Sequence, residues 1–104
     1  MKEIKNYKEF YDLVYNKKDY ITLIYYFCED DWCSKLNETI EKTFDNNNNG
    51  NIILRGLNIK NSELITKVDL TNYPVCRLYK DSKMFQEIYC THSNIETIIS
   101  SLLS

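Results

Sequence analysis

The chain has 104 residues, of which 43% are hydrophobic, and its formal net charge is −2. This length allows one domain with one modest core, so we expect a single domain over residues 1–104. A small negative charge is not typical of nucleic-acid-binding proteins, which carry clustered positive charge. No apolar stretch approaches the roughly 20 residues of a membrane-spanning helix, and the charged N-terminus has no signal-peptide core. We therefore expect a cytoplasmic monomer that binds neither nucleic acid nor membrane, although a leader preceding Met1 would change the compartment.

The first half of the chain alternates helical and strand patterns. Apolar residues three and four positions apart predict an amphipathic helix over residues 2–18. Residues 21–27 form a continuous apolar run, which is typical of a central strand covered on both faces. Asp31 is a good helix N-cap residue and predicts a second helix over residues 31–44. An asparagine-rich run at residues 46–50 ends that helix.

The second half ends in a hairpin. Residues 52–59 predict a second strand, and residues 60–70 predict a short helix or a turn. Residues 75–80 and 83–90 flank a two-residue turn and predict a β-hairpin, and residues 94–103 predict an amphipathic C-terminal helix. The predicted order is therefore α-β-α-β-α-β-β-α. Alternation indicates parallel strands and the hairpin an antiparallel pair, so we expect an α/β fold with a mixed sheet and helices on both faces.

Cys33 is the candidate reactive residue, because it lies near the start of the second predicted helix. The helix dipole and the backbone N–H groups favour a thiolate there, by about 0.3–1 kcal/mol. The carboxylates of Asp30 and Asp31 oppose this by roughly 1 kcal/mol each at 4 Å in water. The alternative is a partly buried structural thiol, since Cys33 shares its helix face with Leu36 and Ile40.

Several short motifs resemble thioredoxin in their order and spacing. They are Phe27 followed by Trp32-Cys33, then Leu57-Asn58-Ile59, then Tyr73-Pro74-Val75, and finally Tyr79-Lys80-Asp81-Ser82. In that order they resemble the passage from strand to active site, the strand end before the third helix, the cis-proline element and the hairpin turn of thioredoxin. The resemblance covers essentially the whole chain and implies a thioredoxin-like fold.

The resemblance also implies site residues. It implies that Cys33 is the catalytic residue and that Trp32, Tyr73, Pro74 and Val75 bind the substrate. It further implies a cis peptide bond before Pro74, which exposes the preceding backbone to an extended substrate peptide. Client protein thiols or glutathione are the partners that such a site implies.

The departures from the thioredoxin pattern limit the chemistry. Leu36 stands where the second active-site cysteine is expected, Tyr26 replaces a buried acidic residue, and one extra residue separates Phe27 from Trp32. The sequence therefore predicts single-cysteine exchange, or mixed-disulfide binding of client proteins, through Cys33. The alternative is a redox-inactive interaction module that keeps the thioredoxin fold. At most we expect a weak monothiol oxidoreductase, not a dithiol reductase with cysteines three residues apart.

The remaining cysteines offer two possible resolving thiols for Cys33. Cys28 can form a disulfide with it only if the two Cα atoms come within about 7 Å. Cys90 is the second candidate, because the predicted hairpin pairs it with Tyr73 beside the proline. The same hairpin pairs Cys76 with Glu87. Side chains alternate faces along a strand, so Cys76 and Cys90 point to opposite faces, and we expect no disulfide between them and a place in the core for Cys76.

A structural zinc site is not expected. Such sites usually hold two pairs of cysteine or histidine ligands at short spacing. Here the spacing from Cys28 to Cys33 supplies one pair. The second pair is missing, because Cys76 and Cys90 lie far downstream without short spacing and His92 is the only histidine. We therefore expect no metal and no cofactor.

Overall fold

A computed structural model of the protein describes residues 2–16, 19–47, 52–68, 70, 73–89, 97 and 100–101, but not the side chains of Trp32 and residues 45–47. Seven elements are defined: α1 (Tyr7–Tyr15), β1 (Ile21–Phe27), α2 (Asp31–Asn47), β2 (Ile52–Asn58), α3 (Ser62–Ile65), β3 (Val75–Lys80) and β4 (Lys83–Tyr89). The predicted order is confirmed through β4. The predicted C-terminal helix lies largely outside the described residues, although Thr97, Ser100 and Ser101 are helical.

The first helix is shorter than predicted, because the chain from Lys2 to Asn6 runs alongside β2 instead. The Ile4 amide donates to the Gly56 carbonyl at 2.8 Å, and the Gly56 amide donates to the Lys2 carbonyl at 2.9 Å. Asn6 then caps α1, since its side-chain oxygen accepts from the Glu9 amide at 3.0 Å. The predicted start of this helix at residue 2 is therefore wrong.

The sheet is mixed and has the strand order β2-β1-β3-β4. β1 pairs with β2 in parallel and with β3 in antiparallel, and β3 pairs with β4 in antiparallel. The central position of β1 explains its continuous apolar sequence, because five consecutive residues of this strand are buried. The predicted parallel pair, hairpin and central strand are all confirmed.

Helices cover both faces of the sheet. On one face, residues of α2 pack against β1, β2 and β3 in a cluster that includes Leu23, Tyr25, Leu36, Ile40 and Cys76. On the other face, α1 and α3 contribute Phe10, Leu13, Val14 and Leu64 to a second cluster. Among the described residues, no helix has the length and apolar character needed to cross a lipid bilayer.

A β-bulge corrects the predicted pairing inside the hairpin. The register shifts between Leu78 and Tyr79, so that Cys76 lies opposite Ile88 rather than Glu87. The predicted pairing of Cys76 with Glu87 is therefore wrong by one residue. The prediction counted residue pairs outward from the turn, and that count does not reveal the extra residue of a bulge. Cys76 is fully buried, which confirms its predicted place in the core.

Two buried tyrosines form a polar contact in the α1-side cluster. The hydroxyl oxygens of Tyr26 and Tyr79 lie 2.7 Å apart, and the Arg77 guanidinium lies 5.4 Å from the centre of the Tyr26 ring. Burial raises the pKa of Tyr26 far above its ordinary value and also raises the pKa of Tyr79. Tyr26 is therefore a protonated phenol, and it cannot supply the carboxylate whose position it occupies.

We expect Tyr26→Phe to lower the free energy of unfolding by about 0.5–1.5 kcal/mol, because the Tyr79 hydroxyl loses a buried hydrogen-bond partner. Urea unfolding at neutral pH measures this change. In the Tyr26→Phe/Tyr79→Phe double variant we expect a smaller loss than the sum of the two single losses, since the two hydroxyls form one interaction. Additive losses would contradict the coupling.

Candidate functional site

The segment between β1 and α2 is fixed by the end of β2. The Ile59 amide donates to the Phe27 carbonyl at 2.9 Å, which continues the strand pairing beyond β1. The Asn58 side-chain amide donates to the Glu29 carboxylate at 2.6 Å, and the Lys60 ammonium lies 3.9 Å from the same carboxylate. These contacts hold the three residues that follow β1 in a defined turn.

Asp30 closes the N-terminus of α2. One of its carboxylate oxygens accepts from the Cys33 amide at 2.7 Å, and its carbonyl accepts from the Ser34 amide at 3.0 Å. Asp30 therefore acts as the N-cap, one residue before the predicted Asp31. As a result, Cys33 lies in the first helical turn, where the sequence predicts it.

The turn brings two thiols together. The sulfur of Cys28 lies 3.1 Å from the sulfur of Cys33, and Cys28 donates to the second carboxylate oxygen of Asp30 at 3.0 Å. Neither cysteine is in a disulfide. Cys28 is half-buried, whereas Cys33 is only 1% exposed. Cys33 is thus close to a second thiol but is itself shielded from solvent.

The surroundings of Cys28 favour its protonated form. Burial raises the pKa of the Cys28 thiol to about 12, and the hydrogen bonds with Asp30 and Cys33 act in the same direction. The cause is physical: an ionised sulfur would lose solvation and would face the negative charge of the Asp30 carboxylate. At neutral pH the reduced site therefore carries Cys28 as a thiol that donates a hydrogen bond.

The predicted substrate-binding residues differ in exposure. The peptide bond between Tyr73 and Pro74 is cis. Tyr73 is 55% exposed and Pro74 is half-buried, whereas the Val75 side chain is fully buried and leaves only its backbone to contact a substrate. Val75 pairs with Tyr26 in β1, so Tyr73 and Pro74 lie beside the end of β1 that leads to the two thiols.

Two of the predicted site residues cannot be placed. Trp32 lies in the first turn of α2, but its side chain is outside the described part of the structure. Cys90 also lies outside the described residues, so its predicted place beside the proline stays a prediction.

Comparisons with known proteins identify the fold. No family model matches the sequence, and no curated protein matches it. Among solved structures, the thioredoxin of Malassezia sympodialis superposes with a TM-score of 0.83 at 14% identity, covering 100% of this chain and 91% of that one. The thioredoxin of Plasmodium falciparum superposes with a TM-score of 0.81 at 15% identity, covering 97% of this chain and 98% of that one. Thioredoxin O2 of Arabidopsis thaliana in its oxidised state superposes with a TM-score of 0.78 at 14% identity, covering 99% of this chain and 94% of that one.

The chain has the thioredoxin fold. The fold expected from the sequence motifs is therefore confirmed across almost the full length of these structures. Within this thioredoxin fold, the thiol that neighbours Cys33 is Cys28, one of the two possible resolving thiols named from the sequence, whereas the position of the usual second cysteine is Leu36.

Sequence reasoning missed the part played by Asp30. It treated Asp30 only as a charge that opposes a thiolate, whereas in the structure one carboxylate contacts both the Cys28 thiol and the Cys33 amide. A signal was available, because aspartate three residues before Cys33 is a typical N-cap spacing for a helix that begins between them.

Proposed function

We propose that the protein exchanges thiols and disulfides through Cys28 and Cys33 acting as a pair. The observation that carries the proposal is the 3.1 Å separation of the two sulfur atoms. A disulfide bond needs about 2.05 Å, so a shift of roughly 1 Å at the sulfurs would close it. Exchange through Cys33 alone would not require a second thiol this close. The thioredoxin fold and the exposed Tyr73 beside Pro74 support a client peptide as substrate.

The reaction transfers two electrons and two protons. The Cys28 thiol gives up its proton, and the thiolate attacks one sulfur of a client disulfide; the client S–S bond breaks and the leaving sulfur takes up a proton. Cys33 then loses its proton and attacks the Cys28 sulfur, which releases the second client thiol. The client disulfide is reduced to two thiols, and Cys28 and Cys33 are oxidised to a disulfide. A thiol reductant such as glutathione restores the pair by the reverse exchange.

Accessibility assigns the two roles in this proposal. Attack on a protein disulfide requires a sulfur that the client can reach, and Cys33 is only 1% exposed. Cys28 is half-buried and follows the strand end that borders Tyr73 and Pro74. We therefore assign attack to Cys28 and resolution to Cys33, which reverses the roles expected from the sequence.

The proposal includes slow exchange at neutral pH. Only the thiolate attacks, and the raised pKa of Cys28 leaves a very small thiolate fraction at pH 7. Tyr26 cannot assist as a base because burial keeps its hydroxyl protonated. The carboxylate of Asp30, 3.0 Å from the Cys28 sulfur, stabilises the protonated thiol and does not promote its ionisation. We therefore expect little or no insulin reduction at pH 7 with dithiothreitol as the reductant.

A redox-inactive interaction module is the second candidate. Two observations favour it: the low exposure of Cys33 and the high exposure of Tyr73, which a binding groove could use without any thiol chemistry. The two candidates differ in one outcome. Only the exchange proposal requires Cys28 and Cys33 to form a bond with each other.

Mild oxidation of the purified chain should produce a disulfide between Cys28 and Cys33, because their sulfurs are already adjacent. Trypsin cleaves after Lys18 and Lys35 and releases both cysteines on one peptide. We expect that peptide to lose two hydrogen masses on oxidation and to resist alkylation until it is reduced.

The matched control is Cys90→Ser, which removes the other predicted resolving thiol and should leave this disulfide unchanged. Cys90 lies on the separate tryptic peptide that follows Lys83. A disulfide between Cys33 and Cys90 would join two peptides and would refute the pairing proposed here. Unmodified thiols after oxidation would favour the interaction module.

A further inference from the structure

We infer that the reduced protein binds a thiophilic divalent cation, zinc being the ion that fits best, through Cys28, Cys33 and Asp30. Their ligand atoms, two sulfurs and a carboxylate oxygen, all lie within 4.8 Å of one another. This goes beyond exchange, because it concerns the reduced state alone and needs no client. It also differs from the expectation of no metal, which counted only cysteine and histidine ligands.

The spacing of the three groups is close to that of a tetrahedral site. Zinc bonds of about 2.3 Å to sulfur and about 2.1 Å to oxygen place tetrahedral ligand atoms roughly 3.5–3.8 Å apart. The Cys28 sulfur lies 3.1 Å from the Cys33 sulfur and 3.0 Å from the nearer Asp30 oxygen. These two distances need to lengthen by roughly 0.6–0.7 Å to admit the ion. The third pair, the Cys33 sulfur and the Asp30 oxygen, lies within 4.8 Å.

The local backbone supports such a site. Cys33 is held by the first turn of α2 and by the Asp30 cap, while Glu29 is anchored to Asn58 at the end of β2. Hydrogen bonds therefore fix the backbone of the turn that carries the three ligand residues. Cys33 closes it from the inside, and Asp30 and the half-buried Cys28 face outward, where an ion can enter.

The ligand types select the ion. Two cysteine sulfurs favour zinc over magnesium or calcium, because these harder cations prefer oxygen. Three protein ligands leave one tetrahedral position for water or an external thiol, which is the arrangement of exchangeable rather than closed zinc sites. Metal binding and disulfide formation exclude each other here, because both use the same two sulfurs.

For the test, the full chain is reduced, and metal is removed from it with a chelator that is then washed away. The chain is next titrated with Zn²⁺ or with Cd²⁺ in the presence of a coloured chelator that competes for the ion. We expect one ion per chain and an ultraviolet absorption from cadmium bound to thiolate. Chain oxidised beforehand should not bind. Cys28→Ser and Cys33→Ser should each weaken binding, as should Asp30→Asn, by roughly tenfold or more. Asp31→Asn is the matched control, one residue along the same helix start, and should bind like the unmodified chain.

Two results would overturn the inference. In the first, the reduced chain binds neither Zn²⁺ nor Cd²⁺ more strongly than the oxidised chain does. The other is binding that survives in the Cys28→Ser/Cys33→Ser double variant, which would place the ion on other residues. Circular dichroism of each variant separates loss of a ligand from loss of the fold. A chain that forms the disulfide but binds no ion retains the exchange proposal and refutes only the metal site.

Discussion

Cys28→Ser should abolish reduction of a disulfide substrate, whereas Cys33→Ser should stop the reaction after its first step. An aromatic disulfide reporter is suited to the measurement, since its low-pKa leaving thiol compensates for a weak nucleophile. With Cys28 replaced, we expect the rate to fall to that of the reductant alone. With Cys33 replaced, the mixed disulfide at Cys28 has no neighbour to resolve it, and it should accumulate as a stable adduct.

Mass spectrometry of the adduct distinguishes this assignment from its reverse. The more accessible position of Cys28 and the 1% exposure of Cys33 predict an adduct only at residue 28. Cys90→Ser serves as the matched cysteine replacement and should keep the rate of the unmodified chain. If Cys28→Ser formed the adduct while Cys33→Ser did not, Cys33 would be the attacking thiol, as the sequence alone suggested.

Much of the fold was predictable, because hydrophobic periodicity and strand order follow from local sequence. The apolar run of β1 predicted a central strand, and the two-residue turn predicted the β3–β4 hairpin, with Lys80 opposite Lys83. Two errors came from contacts distant in sequence or from backbone irregularity. The segment before α1 pairs with Gly56, and the bulge at Leu78 shifts the register, and neither follows from the local residue pattern.

The thiol pair was less predictable than the fold. From sequence, Cys28 and Cys33 are separated by four residues, and whether their sulfurs meet depends on the path of the turn between them. That path is set by Asn58, which holds Glu29, and by Asp30, which caps α2. The contact between Asn58 and Glu29 joins residues distant in sequence, so no local pattern predicts it, whereas the Asp30 cap is local and its spacing to Cys33 was a usable signal.

Asp30 connects the reactivity of the thiols to the stability of the helix. The same carboxylate accepts from the Cys33 amide at 2.7 Å and from the Cys28 thiol at 3.0 Å. The first contact stabilises the start of α2, and the second stabilises the protonated form of Cys28. A change that removes only the charge can therefore separate the two effects, because asparagine is an equally good N-cap residue.

Asp30→Asn should make Cys28 more reactive without unfolding α2. Burial is the largest cause of the raised Cys28 pKa and persists in the variant, so the pKa should fall only part of the way from about 12. Each unit of that fall raises the thiolate fraction at neutral pH roughly tenfold. The alkylation rate of Cys28, measured from pH 6 to 11 on reduced protein with a chelator present, should increase accordingly, whereas Asp31→Asn should leave it unchanged.

The same variant should alter how stability depends on pH. The folded pKa of Cys28 lies above the ordinary thiol value of about 8.5, so its protonated form stabilises the folded state below that pH. This contribution is lost as the pH rises from about 8.5 towards 12, and the loss should be smaller in Asp30→Asn because its folded pKa is lower. Urea unfolding at pH 7 and pH 10 measures the difference. Identical alkylation profiles and identical pH dependence in both proteins would show that Asp30 acts on the helix end alone, and that burial and Cys33 set the pKa of Cys28.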